Sequence, residues 1–195
     1  MEKRLPPHLE LYKLINQIDE SGKKPTLLLH ACCAPCATAV LEKLAQHFDI
    51  TLFYYNPSIS PKEEFIRRFD AIKSLLCHYP AIKLIEGVWE NEQYLAEVSG
   101  LEKEPEGGER CSVCFLQRLR KTAELACNYD YFATTLTVSP HKNAELINKI
   151  GEQEAKVFGS EYLPSDFIKQ NGYLRSIELS KQFNLYRQNY CGCKF

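Results

Sequence analysis

The run Leu27-Leu28-Leu29-His30-Ala31 lies between Pro25 and Pro35 and stops in three cysteines, Cys32, Cys33 and Cys36. An apolar segment so short and so bounded reads as a buried strand, and the cysteines fall where that strand hands over to a helix. It is the first of four such segments. Residues 50–55 are β-branched and aromatic and close on Asn56-Pro57, residues 81–86 form a weaker third strand, and residues 131–137 form the fourth. Between them apolar residues recur at helical spacing: Ala37, Val40, Leu41 and Leu44, then Phe65, Phe69, Ile72 and Leu76, then Phe115, Leu119, Ala123 and Ala126. A shorter helix is expected over residues 90–98. A helix over residues 8–20, built on Leu11, Leu14, Ile15 and Ile18 and stopped by Gly22, precedes the first strand. Ile147, Ile150 and Val157 mark another that ends near Gly159. Strands alternating with helices imply βαβ units joined by right-handed crossovers. The fold class is therefore α/β, a doubly wound, mainly parallel sheet with helices on both faces.

A chain of 195 residues is long enough to bury a sizeable core without disulfide staples. It reads as a single domain over residues 1–195: an α/β core over about residues 8–159 and a C-terminal extension over 160–195, with a helix at 174–183 and a cysteine tail. No run approaches the roughly 18 apolar residues of a membrane span, and the N-terminus lacks the apolar core of a signal peptide. A cytoplasmic location with no membrane partner is the expectation.

Nine cysteines conflict with a disulfide framework in that compartment, because cytosolic thiols are kept reduced. Seven are grouped: Cys32, Cys33 and Cys36; Cys111-Ser112-Val113-Cys114; and Cys191-Gly192-Cys193. Grouped cytosolic cysteines bind metal or carry redox chemistry. Cys111 and Cys114 fall at a helix start, where the helix field favours the thiolate that metal ligation requires. If the strands are parallel, this pair and the first group share one edge of the sheet, and five thiols can converge on a centre needing four. Iron–sulfur, zinc and thiol redox chemistry all remain open on spacing alone. Cys77 and Cys127 stand alone in helical stripes and read as small buried hydrophobes. Bridging Cys191 to Cys193 needs a bent backbone, since extended Cα atoms two residues apart lie up to ~7 Å from one another, and Gly192 permits that bend. So small a ring suits electron relay better than bracing.

Net charge is −1, which gives the whole molecule no long-range pull toward nucleic acid. The stretch from Lys169 to Phe195 differs: Lys169, Arg175, Lys181, Arg187 and Lys194 oppose a single acid, Glu178, and Tyr173, Phe183, Tyr186, Tyr190 and Phe195 are interleaved. Cations for phosphates and rings for bases suit a nucleic-acid surface, as they also suit a solvated helix with core aromatics.

Five motifs in order then carry a resemblance: His30-Ala31-Cys32-Cys33-Ala34-Pro35-Cys36; Tyr54-Tyr55-Asn56-Pro57-Ser58-Ile59-Ser60-Pro61; Cys111-x-x-Cys114-Phe115-x-x-Arg118-Leu119; Thr134-Thr135-Leu136-Thr137-Val138-Ser139-Pro140-His141-Lys142; and Tyr190-Cys191-Gly192-Cys193. Together they resemble the QueH family of epoxyqueuosine reductases from about residue 26 to the end. The resemblance implies two-electron removal of the epoxide oxygen of epoxyqueuosine in tRNA, the last step of queuosine biosynthesis. It implies a 4Fe-4S cluster on Cys32, Cys33, Cys111 and Cys114, an additional adjacent iron for which Cys36 is the leading ligand, and a catalytic, redox-active disulfide between Cys191 and Cys193. The partners implied are tRNA carrying epoxyqueuosine in its anticodon loop and an external electron donor. The implied fold resembles the α/β layer of PP-loop enzymes, with the cysteine loop in the phosphate-loop position.

Epoxide opening also needs protons, for which His30 and His141 are candidates by position at strand ends, with Asp166 and Tyr190 behind them. Arg175, Lys181 and Arg187 are the expected phosphate contacts. Two alternatives use the same thiols: a zinc-stabilised RNA-binding module, and a thiol or sulfur-transfer enzyme acting on tRNA.

Overall fold

The structure, a computed structural model, describes residues 5–193. Met1 to Arg4 of the N-terminus, and Lys194 and Phe195 of the basic stretch, lie outside the described residues. Strands β1 (Thr26–His30), β2 (Asp49–Tyr54), β3 (Lys83–Glu86) and β4 (Tyr131–Thr134) form one sheet in the order β3-β2-β1-β4. Every pairing is parallel, with Leu28 opposite both Thr51 and Phe132. The helices are α1 (Pro7–Ser21), α2 (Ala34–Leu44), α3 (Lys62–Leu76), α4 (Asn91–Glu97), α5 (Glu109–Leu125), α6 (Ala144–Phe158) and α7 (Gly172–Gln182).

The period-two alternation of the strands sorts the core into two layers. Leu27, Leu29, Leu52 and Tyr54 face α1, α2 and α3 through Ile15, Val40, Leu41, Phe65 and Ile72. Leu28, Phe53 and Phe132 face α5 and α6 through Phe115, Leu119, Ile147 and Ile150. Helices thus cover both faces, as the alternation predicts. Leu27, Leu28 and Leu29 are all 0% exposed, and each such side chain stabilises the fold by roughly 1.5–3 kcal/mol. α7 packs on α2. Beyond β4, Phe132 N–H donates to Glu161 O and Leu163 N–H donates to Phe132 O, both at 2.8 Å, so a short parallel bridge covers that edge. Among the described residues no helix is long and apolar enough to cross a membrane.

Two expectations are corrected. The fourth strand stops at Thr134 instead of reaching residue 137, because the Thr134 hydroxyl accepts from Leu136 N–H at 3.1 Å and turns the chain into a 3-10 segment, Thr135–Val138. A threonine oxygen that bonds its own backbone competes with the strand ladder despite the β-branched sequence. Cys77 and Cys127 are exposed, not buried. Cys77 caps the C-terminus of α3 and Cys127 sits in the 3-10 turn Ala126–Asn128, so both have left the helical stripes that suggested burial.

Strand order decides where a site can form. From β1 the chain crosses through α2 to β2 on one side, while β4 lies on the other, so the order reverses between β1 and β4. Crevices in open parallel sheets form at the carboxyl ends of strands at such a reversal.

Candidate metal and redox centre

At the carboxyl end of β1 the chain runs straight into cysteines. Cys33 is the extended N-cap of α2, Pro35 fits the first helical turn, where no N–H is needed, and Cys36 follows one position on. The Sγ atoms of Cys32, Cys33 and Cys36 all lie within 4.8 Å of one another. Cys32 N–H donates to the Thr135 hydroxyl at 3.1 Å, and that hydroxyl donates to Cys32 Sγ at 3.4 Å, which ties this loop to the turn after β4. Hydrogen bonds from Cys33 and Cys36 hold the Cys32 thiol well below its ordinary value, while the same contacts push Cys36 up and Cys33 up to about 12. Three sulfurs this close together are a donor set suited to a soft metal.

The second pair comes from α5, whose N-cap is Gly108. Cys111 lies in the same buried cluster as Cys32 and Cys33, and Gly107 N–H donates to its sulfur at 3.2 Å. Cys114 belongs to a separate cluster with Tyr94 and Val98, and Cys193 packs against it. The structure therefore groups Cys32, Cys33 and Cys36 tightly and leaves Cys111 and Cys114 as buried neighbours outside that tight group. Burial pushes the Cys114 thiol up against the pull of Arg118.

Arg118, one helical turn after Cys114, is 2% exposed. Its Nη2 donates to Ser58 Oγ at 2.6 Å, and Cys114 Sγ donates to the same oxygen at 3.4 Å. Among the described residues no carboxylate forms an ion pair with Arg118, and its Nε has no hydrogen-bond partner. Burial works against its charge, but the nearby sulfurs of Cys114, Cys191 and Cys32 hold it firmly protonated. A buried guanidinium without a carboxylate is costly unless anionic groups surround it. Arg118 therefore marks this thiol-lined space as one built for negative charge.

The tail folds over the same space. Cys191 and Cys193 are free thiols, and Gly192 adopts φ +112°, a conformation that L side chains rarely take. Lys142, with a side chain only 10% exposed, donates to Cys191 Sγ at 3.5 Å and lies 3.9 Å from Glu106. A hydrogen bond from Cys193, aided by the charges of Lys142 and Arg118, holds the Cys191 thiol down at about 4, while Cys193 is pushed far up. From α3, Arg68 donates to Cys191 O at 2.8 Å and Tyr190 O at 3.3 Å.

A cleft of about 550 Å³ opens between these elements, lined among others by Cys32, Cys36, Cys191, His141, Tyr173 and Arg187. Tyr190 also lines it, and Arg187 stands 5.6 Å over the Tyr173 ring. The other sequence candidates scatter. His30 is fully buried, with Nδ1 against Thr134 Oγ1 at 2.9 Å and Nε2 against Tyr55 O at 3.0 Å. Since Tyr55 O only accepts, Nε2 carries the proton and Nδ1 accepts from Thr134. Burial and the Arg118 charge lower its pKa to about 4, so His30 is held neutral with both ring nitrogens engaged. Asp166 caps the 3-10 turn Phe167–Gln170 and is not among the described residues lining the cleft. Arg175 is engaged elsewhere, pairing with Glu42 at 2.7 and 2.9 Å and with Glu178 at 2.7 Å.

Sequence reasoning gave no role to Arg118 or Lys142 and passed over Arg68 altogether. A signal was present. Phe65, Arg68, Phe69 and Ile72 follow i, i+3, i+4, i+7, and Phe115, Arg118, Leu119 and Thr122 do the same, so each arginine occupies a core-facing position of its helix.

A parallel α/β sheet whose switch-point crevice is lined with cysteines and buried cations defines a thiol-based metal or redox centre. The sequence matches the family model described as "Epoxyqueuosine reductase QueH" over residues 27–195, and the chain belongs to that family. Relatives named epoxyqueuosine reductase QueH include one from Streptococcus pyogenes serotype M1, 45% identical over 91% of this chain and 72% of its own length. Another from Staphylococcus epidermidis is 43% identical over 95% and 82%, and one from Thermotoga maritima is 33% identical over 87% and 89%.

Proposed function

We propose that this chain reduces epoxyqueuosine in tRNA to queuosine, using a 4Fe-4S cluster held by Cys32, Cys33, Cys111 and Cys114, with Cys36 as a ligand to an additional iron beside it. The observation that carries this reading is Arg118. A buried cation that pairs with no carboxylate among the described residues, set among Cys32, Cys114 and Cys191, fits an anionic thiolate cluster and has no use in a neutral core. Four buried thiols from two elements supply the donors. When bound, such a centre supplies one-electron transfer and Lewis acidity toward the epoxide oxygen.

The chain's own residues do the rest. The cleft has the volume of a nucleoside site, and an anticodon-loop base splayed from its stack enters it against Tyr173 and Tyr190 while Arg187 meets the backbone. Arg118 and Lys142 hold positive charge at its floor, where negative charge develops as the carbon–oxygen bonds break. The Cys191–Cys193 pair, a thiolate and a thiol, is the proximal source of reducing equivalents, giving two electrons and the Cys193 proton as its S–S bond forms. The epoxide takes up the two electrons, that proton and a second proton from solvent water in the cleft, leaving an alkene and water. An external dithiol resets the pair by exchange. Residues 160–195 are thus one working unit with the α/β core.

The test is anaerobic incubation of iron- and sulfide-loaded protein with epoxyqueuosine-containing tRNA and a reductant, followed by nucleoside mass analysis. Queuosine in proportion to loaded protein is expected. A cluster-replete sample that makes none, or a colourless protein carrying stoichiometric zinc, overturns the proposal.

A further inference from the structure

Arg68 is a buried arginine whose fork is spent on the tail. It is 2% exposed, and its Nε donates to Glu64 Oε1 at 2.7 Å, with Glu64 itself 7% exposed. The Tyr186 hydroxyl lies 3.1 Å from both Glu64 oxygens, which fixes the carboxylate in turn. The remaining arms of the guanidinium reach Cys191 O and Tyr190 O, and the Tyr190 ring centroid lies 5.1 Å from its Cζ. Ser60 N–H donates to Gly192 O at 3.0 Å. A Cβ on Gly192 would stand 2.9 and 3.1 Å from the Arg68 amino nitrogens and 3.1 Å from Ile59 Cγ1. The grip is thus close enough that a side chain at 192 would force it apart.

These anchors share a direction. Tyr190 O, Cys191 O and Cys191 Sγ are held on the Cys191 side of the pair, and Ser60 holds the Gly192 carbonyl between the two cysteines, so the backbone is fixed as far as the peptide that enters Cys193. Closing a ring between cysteines two residues apart requires one half to approach the other within disulfide geometry. We propose that Arg68 is a positioning residue for the thiol pair: it holds the Cys191 half fixed in both the dithiol and the disulfide, so that Cys193 alone swings as the bond forms and breaks. This rests on the redox role proposed for Cys191 and Cys193. A planar fork gripping two carbonyls at once is what the task requires, and a lysine at the same place brings the charge without the fork. Fixing one partner raises the effective concentration of the other, so the clamp favours the disulfide.

The experiment equilibrates the cluster-loaded full chain in dithiothreitol redox buffers, traps it by acid quench and alkylation, and counts the Cys191–Cys193 disulfide by mass. Arg68→Gln and Arg68→Lys are both expected to move the equilibrium toward the dithiol by tenfold or more, about 30 mV for a two-electron couple, with iron content and cluster absorbance unchanged. Gly192→Ala disturbs the same contact from the tail and leaves the Arg68–Glu64 pair in place, so it reads the clamp even where Arg68 variants fail to fold; the same shift is expected. An equilibrium within twofold of wild type in Gly192→Ala, or full restoration by Arg68→Lys, overturns the proposal. Wild type separates the clamp from the redox role it rests on. If wild type forms no disulfide as epoxide is consumed, the redox role and the clamp fall together; if it does and the variants match it, only the clamp falls.

Discussion

Burial sorts the polar residues of this site by what they can do. His30 has no exposed surface and both ring nitrogens engaged, so replacing it with leucine strands the Thr134 hydroxyl and Tyr55 carbonyl. The expected cost is about 2–4 kcal/mol in urea unfolding, and a His30→Leu protein that keeps full stability would show that neither hydrogen bond supports the fold. Cys191 faces the cleft beside Lys142. With its pKa held down at about 4, it is a thiolate at every pH above that and becomes protonated only as pH falls through it. Alkylation by iodoacetamide is therefore expected to persist at pH 5–6, where an ordinary thiol is inert. The Cys193 hydrogen bond is the largest cause of the low pKa and Lys142 adds to it, so removing the cation in Lys142→Met should move the onset of alkylation to higher pH. An unchanged onset would mean that Lys142 has no part in activating the thiol. The cysteine groups were legible from spacing because ligand chemistry restricts residue types. Arg68 and Arg118 were less so, because an arginine at a core-facing helical position is told from a surface one only once the partners it reaches are known.

Elements are positioned by pairings that sequence periodicity does not carry. The strands and helices follow from runs and repeats, yet the stop of β4 at Thr134 depended on one hydroxyl, and it is that stop which sets Thr135 against Cys32. Helix α7 was expected to present Arg175 to phosphates. Instead Arg175 ties α7 to Glu42 of α2 in a surface pair, while Arg187, beyond the helix, lines the cleft. Arg175→Ala is expected to lower stability by less than ~1 kcal/mol and to leave tRNA affinity unchanged. Arg187→Ala should weaken tRNA binding and reduce its salt dependence by about one phosphate contact. A filter-binding titration against salt for the two variants decides the assignment, and equal losses in both would reject it.

Across the whole molecule, the thiols proposed as cluster ligands come from both halves of the chain, the β1–α2 loop and the first turn of α5. Binding that bridges them stabilises the native state by mass action. Stripping iron by oxidation and chelation is expected to lower the melting temperature by several degrees and to speed amide exchange first in α5. Identical melting curves with and without iron would show that the metal joins nothing.

The placement of β4 beside β1 has a consequence for how the protein is made. Thr26 bonds Asp130 across 104 residues of chain, so the sheet closes only after a long loop has been brought round. Until residues near 135 leave the ribosome, Cys32, Cys33 and Cys36 wait without the threonine that seats them, open to oxidants and to the wrong metal. Metal loading at the proposed centre is therefore expected to follow closure of the sheet, and a nascent chain halted before residue 130 should bind metal less selectively than the finished one.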